Sequence, residues 1–227
     1  IAGVASVAVF CTIYFALGST NPFADWMRAV ESVRRLYAEG YTRPQFLLGE
    51  FSPTGWRHYY LVALAVKSSI PSLIAFAVAF VIAARRRSFE LIALLLFAVM
   101  FIGVASFSSL VIGVRHILPA YPFLYAAFGI AVAGIPRAHL FAALLLVLQL
   151  ITSAIAFPSY LSYFNVFIGS PRNADRVLID SNLDWGQDLG RLRDWMRDSG
   201  IQHIRIHYFG IADVQSELGP HAERFPA

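Results

Sequence analysis

Cations set against apolar runs are the chemistry-bearing feature of this sequence. In "GVRHILPAYPF", Arg115 and His116 stand between two strongly apolar stretches. Lys67 sits within another, "YYLVALAVKSSIP". A charged group at the centre of a membrane span costs about 2.5–3.5 kcal/mol on insertion scales, less at the edge, and usually faces a cavity or a partner. Arginine offers a planar fork of donors suited to phosphate, and lysine a point charge. Arg115 and Lys67, with His116 as a helper or hydrogen-bonded neighbour, are therefore placed to hold the phosphate of an anionic lipid. Pro119 and Pro122 free backbone carbonyls and bend the following helix, which is tolerated where a helix lines a cavity. The plainer uses are snorkelling by Lys67 and anchoring of a helix end at the headgroups by Arg115.

Other groups admit two readings each. Glu50, in "LLGEFSPTGWRHYY", could touch an acceptor or a sugar, or cap the following turn. Arg57 and His58 lie beside Trp56, Tyr59 and Tyr60, the composition of an aromatic belt at a membrane surface. In "DSNLDWGQD", Asp180, Asp184 and Asp188 are four apart. They suggest a cation site, but the spacing crosses a strand end, a loop and a helix start, unlike an EF-hand loop. Acids at a helix N-terminus are also favoured by its dipole, so Asp184 and Asp188 read as structural. Asp180 and Asn182 stay open as acceptor contacts, because open α/β folds place ligands at the ends of parallel strands. His203 and His207 share one face of an expected strand, about 13 Å apart, too far to share a metal. No metal site and no cofactor are expected. The lone cysteine, Cys11, excludes an intrachain disulfide or a cysteine metal cluster.

The elements that must position these groups belong to a membrane protein. Of the 227 residues, 58% are hydrophobic and 14% charged, with a mean hydropathy of +0.61. A soluble domain carries about 25% charged residues. The net charge of +4 is modest, and no basic run interleaved with aromatics marks a nucleic-acid surface. Five stretches, roughly 1–18, 61–84, 90–112, 117–135 and 140–157, approach the ~20 apolar residues a span needs. Lys67 sets the hydrocarbon part of the second near Ile70. The chain opens at Ile1 within an apolar run, so an upstream portion is expected. Short basic turns, "AARRRSFE" and "GIPRAH", favour the cytoplasm, which puts the 19–60 loop and everything after 157 outside.

Within that loop, Asn21 reads as an N-cap and Pro22 as the first helical residue. Trp26, Val30, Val33 and Tyr37 recur at helical spacing, which predicts a helix ending at Gly40 that either lies in the interface plane, aromatic side down, or packs on the membrane domain's own surface. After residue 157 the pattern changes to soluble. "RVLID" reads as a strand, "DWGQDLGRLRDWMRDSG" as an amphipathic helix closed by Gly200, and "IQHIRIHYFG" as a second strand, together a βαβ unit. In the helix, Trp185, Leu189, Leu192, Trp195 and Met196 form the apolar stripe, and Asp184 with Gln187 resembles a capping arrangement. The expected fold is thus a polytopic α-helical membrane region over 1–157, followed by a small α/β extracytoplasmic domain over 158–227.

Four motifs, "FLLGEFSPTGWRHYYLVALAVKSSIP", "GVRHILPAYPFLY", "FPSYLSYFN" and "LIDSNLDWGQDLGRLRDWM", occur in this order across residues 40 to 210. Together they resemble the C-terminal half of bacterial GT-C glycosyltransferases, the polytopic enzymes related to protein O-mannosyltransferases and to the lipid A aminoarabinose transferase. The resemblance implies transfer of a sugar from a polyprenyl-phosphate donor to a protein or glycolipid acceptor outside the inner membrane. It also implies that the catalytic acid, an Asp or Glu, lies in a loop upstream of this chain, which would then be inactive alone. Under it, Arg115, Lys67 and His116 bind the donor phosphate, and Glu50, Asp180 and Asn182 face the acceptor or sugar. A non-catalytic lipid-carrier binder or transporter, with the βαβ part as a partner-docking module, would use the same intramembrane cations.

Overall fold

The computed structural model describes residues 18, 20–38, 45–108, 113–208, 210 and 212–225. The expected first span, Cys11, Arg43 and the helix end at Gly40 lie outside these. The chain divides into two compact units, Ile1–Arg43 and Pro44–Ala227.

In the first unit, helix α1 runs Pro22–Ala38. Its start follows the local chemistry: Asn21 Oδ1 accepts from Ala24 N–H at 3.0 Å, and proline needs no donor in the first turn. Phe23, Trp26, Met27 and Val30 are exposed at three- and four-residue spacing, a single apolar stripe.

The second unit begins with a hairpin, β1 (Gln45–Leu47) and β2 (Glu50–Ser52), antiparallel with Phe46 opposite Phe51. Its two-residue turn puts both Leu48 and Gly49 at positive φ, +51° and +91°, the type I′ geometry that matches strand twist. Helix α2 (Tyr59–Lys67) and helix α3 (Ile70–Arg86) follow.

The expected continuous stretch 61–84 is broken here, and the reason is Pro71. A proline ring collides with the carbonyl four residues back, which for Pro71 is that of Lys67. The chain answers with two extended residues, Ser68 and Ser69, and Ser69 caps α3 by accepting from Ser72 N–H. Helix α4 (Phe89–Ser106) leads to a 3-10 turn, Val114–Ala120, that runs into α5 (Tyr121–Ala133). Helix α6 spans Ala138–Ala156.

Three helical stretches among the described residues, Phe89–Ser106, Val114–Ala133 and Ala138–Ala156, are long and apolar enough to cross a membrane. Ala79, Ala98, Ala127 and Ala131 are fully buried where α3, α4 and α5 meet, small residues that let helices approach without large side chains. The outward faces carry Val104, Leu144, Leu146 and Ile155, each more than half exposed.

Residues 157–183 pack on the helical core through Phe164, Ala174 and Leu178. Asn165 pins this segment: its N–H donates to Val66 O at 2.9 Å, and its amide donates to Ala65 O and Ser68 O. Helix α7 (Ala174–Val177) and a 3-10 turn (Asp180–Asn182) occupy the place where "RVLID" was expected to be a strand. Its apolar residues fill the core from helical and turn backbone, with Leu178 fully buried, so apolar content there did not mean a strand.

Helix α8 (Leu189–Asp198), β3 (Ile204–Ile206), α9 (Val214–Leu218) and β4 (Ala222–Arg224) complete the chain. Strands β3 and β4 pair in parallel, so a small βαβ unit exists, built one strand later than expected. Its core is Leu189, Tyr208, Val214 and Ala222. Helix α8 starts later than expected, because Gly186 N–H donates to Asp184 Oδ1 and Trp185 N–H to Gln187 Oε1, which makes a turn of "DWGQ". Gly200, at φ +66°, follows the end of α8 as expected.

Candidate functional site

The "GVRH" and "DSN" motifs, residues 113–116 and 180–182, dock against each other. Gly113 has φ +149°, and a Cβ there would lie 2.4 Å from Ser181 Oγ; only glycine allows both the backbone and the approach. Val114 N–H then donates to Asn182 Oδ1 at 3.0 Å. Asn182 is fully buried. Its amide donates to Tyr59 OH at 2.8 Å and to Ile179 O at 3.2 Å, and its main-chain oxygen accepts from Lys67 Nζ at 2.7 Å. One asparagine thus joins the 3-10 turn carrying Arg115 and His116 to the end of α2 carrying Lys67. It was expected as an acceptor contact, but its side chain is spent inside the protein, and it serves as the joint of the site.

Arg115 is exposed, with its guanidinium 4.3 Å over the Trp185 ring and its Nε donating to His116 Nε2 at 3.4 Å. His116 is half-buried and lies 6.4 Å, centroid to centroid, from Tyr60. Lys67 Nζ donates also to Leu161 O at 2.7 Å and sits 4.2 Å over the Phe164 ring. Those two carbonyls take two of an ammonium's three donors. Among the described residues, no carboxylate forms an ion pair or hydrogen bond with Lys67, Arg115 or His116.

The acidic candidates lie differently. Glu50 is exposed on the hairpin, which reaches the core segment through Leu48 N–H donating to Val177 O; it bonds to none of the three cations. Asp180 is exposed and held at φ +60°, a conformation costly for a non-glycine residue. Burial pushes the neighbouring Tyr59 hydroxyl up to about 12, with the Asn182 hydrogen bond opposing and the Asp180 charge adding to the rise. Asp184 Oδ1 accepts from Gly186 N–H, and Asp188 pairs with Arg191 at 3.6 Å, both local uses at the approach to α8. His203 stacks on His221 at 4.4 Å.

Sequence reasoning passed over a polar cavity of about 190 Å³ that Lys67 lines. Ser69 and Ser72, at the α2–α3 break, both donate to Gln149 Oε1. Ser68 Oγ and Tyr121 OH share a hydrogen bond at 2.8 Å, and Ser72 Oγ and Tyr125 OH one at 2.6 Å. Tyr160 and Tyr163 complete the lining from the segment after α6, and burial raises the Tyr163 hydroxyl above its usual range. The signal was present in part: Gln149 interrupts the apolar run "LLLVLQLITSAIA", and Tyr121 and Tyr125 are one helical turn apart.

A second cavity, of about 400 Å³, lies between α2, α3, α4 and α5. Among the described residues its lining is apolar apart from Ser106 and Arg57, whose guanidinium sits 5.3 Å over the Phe107 ring.

No family model, curated protein or solved structure matches the chain.

Proposed function

We propose that this protein takes part in transferring a sugar from a polyprenyl-phosphate donor to a protein or glycolipid acceptor on the extracytoplasmic side of the inner membrane. The observation that carries the reading is the joined set Arg115, His116 and Lys67, held by Asn182 with no carboxylate bonded to any of them among the described residues. Cations that neutralise no internal acid suit an external anion, and the apolar cavity beside Arg57 suits the hydrocarbon attached to it.

The two ends of the helices support this orientation. Ser68 and Ser69 are at one end of α3 and Arg85–Arg87 at the other, about 25 Å away at the rise of a helix. Arg86 Nη1 donates to Ala131 O at the far end of α5, and Arg137 precedes α6 at the same level. This arginine-rich end is the cytoplasmic one by the charge rule, which leaves the site facing out.

In the reaction, the acceptor hydroxyl attacks the anomeric carbon, its proton passes to a base, and the bond to the carrier phosphate breaks. Charge grows on that phosphate oxygen, so Arg115 and Lys67 stabilise the transition state more than the ground state. His116 supports Arg115 through their hydrogen bond. The four sequence motifs support the same reading by resemblance, and two of them meet at the Gly113–Ser181 contact.

The test is photocrosslinking of the purified protein in bilayers with a diazirine-bearing polyprenyl phosphate. Label is expected in α2 and α4, beside Arg57 and Lys67, and should be competed by the unlabelled phosphate. Equal labelling by a polyprenol without phosphate would overturn the reading. Release of bare carrier from a sugar-loaded donor in the presence of acceptor membranes separates transfer from binding alone.

A further inference from the structure

The polar cavity is an odd feature between apolar helices. Hydroxyl and amide groups in such helices are retained where they have partners or a function. A network serving only to hold helices together would be closed, yet a hollow of about 190 Å³ remains, several times the roughly 30 Å³ that one water takes in the liquid. Gln149 accepts from Ser69 and Ser72 through Oε1, while its Nε2 makes no hydrogen bond among the described residues. The serine and tyrosine hydroxyls around it both donate and accept. That is the complement of a polyhydroxylated ligand. Among the described residues, Lys67 is the one charged residue lining the cavity, and no aspartate or glutamate lines it.

We propose that this cavity is the subsite for the sugar of the donor, and that it takes an uncharged sugar in preference to an amino sugar. The inference rests on the carrier-phosphate reading and names the substrate class for it. With the phosphate at Lys67, the sugar hangs from it into the cavity, where Ser72, Tyr125 and Gln149 meet its hydroxyls and Tyr160 and Tyr163 offer ring faces. An ammonium-bearing sugar would bring a second cation beside Lys67 with no carboxylate among the described lining residues to offset the repulsion and the lost hydration.

The experiment measures affinity on the purified full chain in nanodiscs for three probes: polyprenyl phosphate, the same carrier bearing mannose, and the same carrier bearing 4-amino-4-deoxyarabinose. The mannosyl carrier is expected to bind at least tenfold tighter than the bare carrier, and the amino-sugar carrier no tighter than bare. Gln149→Leu and Ser72→Ala should each erase most of the mannose increment while leaving affinity for the bare carrier unchanged, which also reports that they fold. Equal affinity for mannosyl and bare carriers, or an amino-sugar carrier as tight as the mannosyl one, would overturn the subsite. Failure of the bare carrier to bind would instead overturn the phosphate reading. Alkylation of Ser153→Cys in a Cys11→Ser background tests the cavity without any phosphate. An octyl mannoside should slow it severalfold and the amino-sugar glycoside should not; equal effects or none would count against the subsite.

Discussion

Asn182→Ala isolates the joint on which the site depends. The substitution removes three side-chain hydrogen bonds and keeps the main-chain oxygen that holds Lys67. Val114 N–H and the hydroxyl of Tyr59, a residue 2% exposed, lose their partners, and the part-exposed Ile179 O loses this donor. A buried polar group left without one costs about 1–3 kcal/mol, so two give roughly 2–6. The vacated space is polar and can admit a water with partners on several sides, which lowers the cost. About 2–4 kcal/mol is the expected loss, read as a shift in the unfolding equilibrium of the purified protein. A double-mutant cycle with Tyr59→Phe should show coupling of about 0.5–3 kcal/mol, the range for residues in direct contact. A loss below about 0.5 kcal/mol, the scale of an ordinary surface substitution, would refute the reasoning. So would strict additivity in the cycle.

Gly113→Ala should destabilise the protein by more than a helix-interior change of the same kind, since it meets both the positive φ and the Ser181 oxygen; Ser181→Gly should restore part of the loss, and no rescue would count against the docking. The raised Tyr59 hydroxyl keeps its proton in the folded state after the unfolded state has lost it. Stability is therefore intact below about 10 and falls as pH rises toward 12, by roughly 3 kcal/mol. An alkaline absorbance titration should lose its last-titrating component in Tyr59→Phe, and an unchanged high-pH end of the titration in that variant would contradict the assignment. For orientation, cysteines at Ser88 and Ser199 should be respectively protected from and labelled by an impermeant thiol reagent in intact cells, and the opposite pattern would reverse the topology.

Much of this was legible because local rules decided it. Asn21 and Pro22 announce the start of α1, apolar length announces α4 and α6, and Gly200 follows the end of α8. Three features were not, and each is a tertiary effect. "RVLID" is apolar because Leu178 fills the helical core, and a run that short is the same in a strand or a turn. The α2–α3 break was signalled by Pro71, but hydropathy averages over it, and the serines it exposes matter only once Gln149 of α6 lies opposite. Asn182 reads in sequence as an acceptor contact at a strand end. Its role exists only because residues 113 and 182 are adjacent in space. The cations themselves were visible, because charge in an apolar run has to be explained.

The central claim is that Arg115 and Lys67 act on one phosphate. The direct measurement is polyprenyl-phosphate affinity on purified, correctly inserted protein for the parent, Arg115→Ala, Lys67→Ala and the double variant. Loss of a charge-assisted contact of roughly 1.5–3 kcal/mol predicts a ten- to hundredfold weakening in Arg115→Ala. Arg115→Lys should recover only part of it, because a point charge cannot reproduce the fork. The two alanine effects should combine non-additively if both cations touch the same group. Unchanged affinity in Arg115→Ala, with less folded protein but normal binding by what folds, would contradict the account and leave Arg115 as a headgroup anchor.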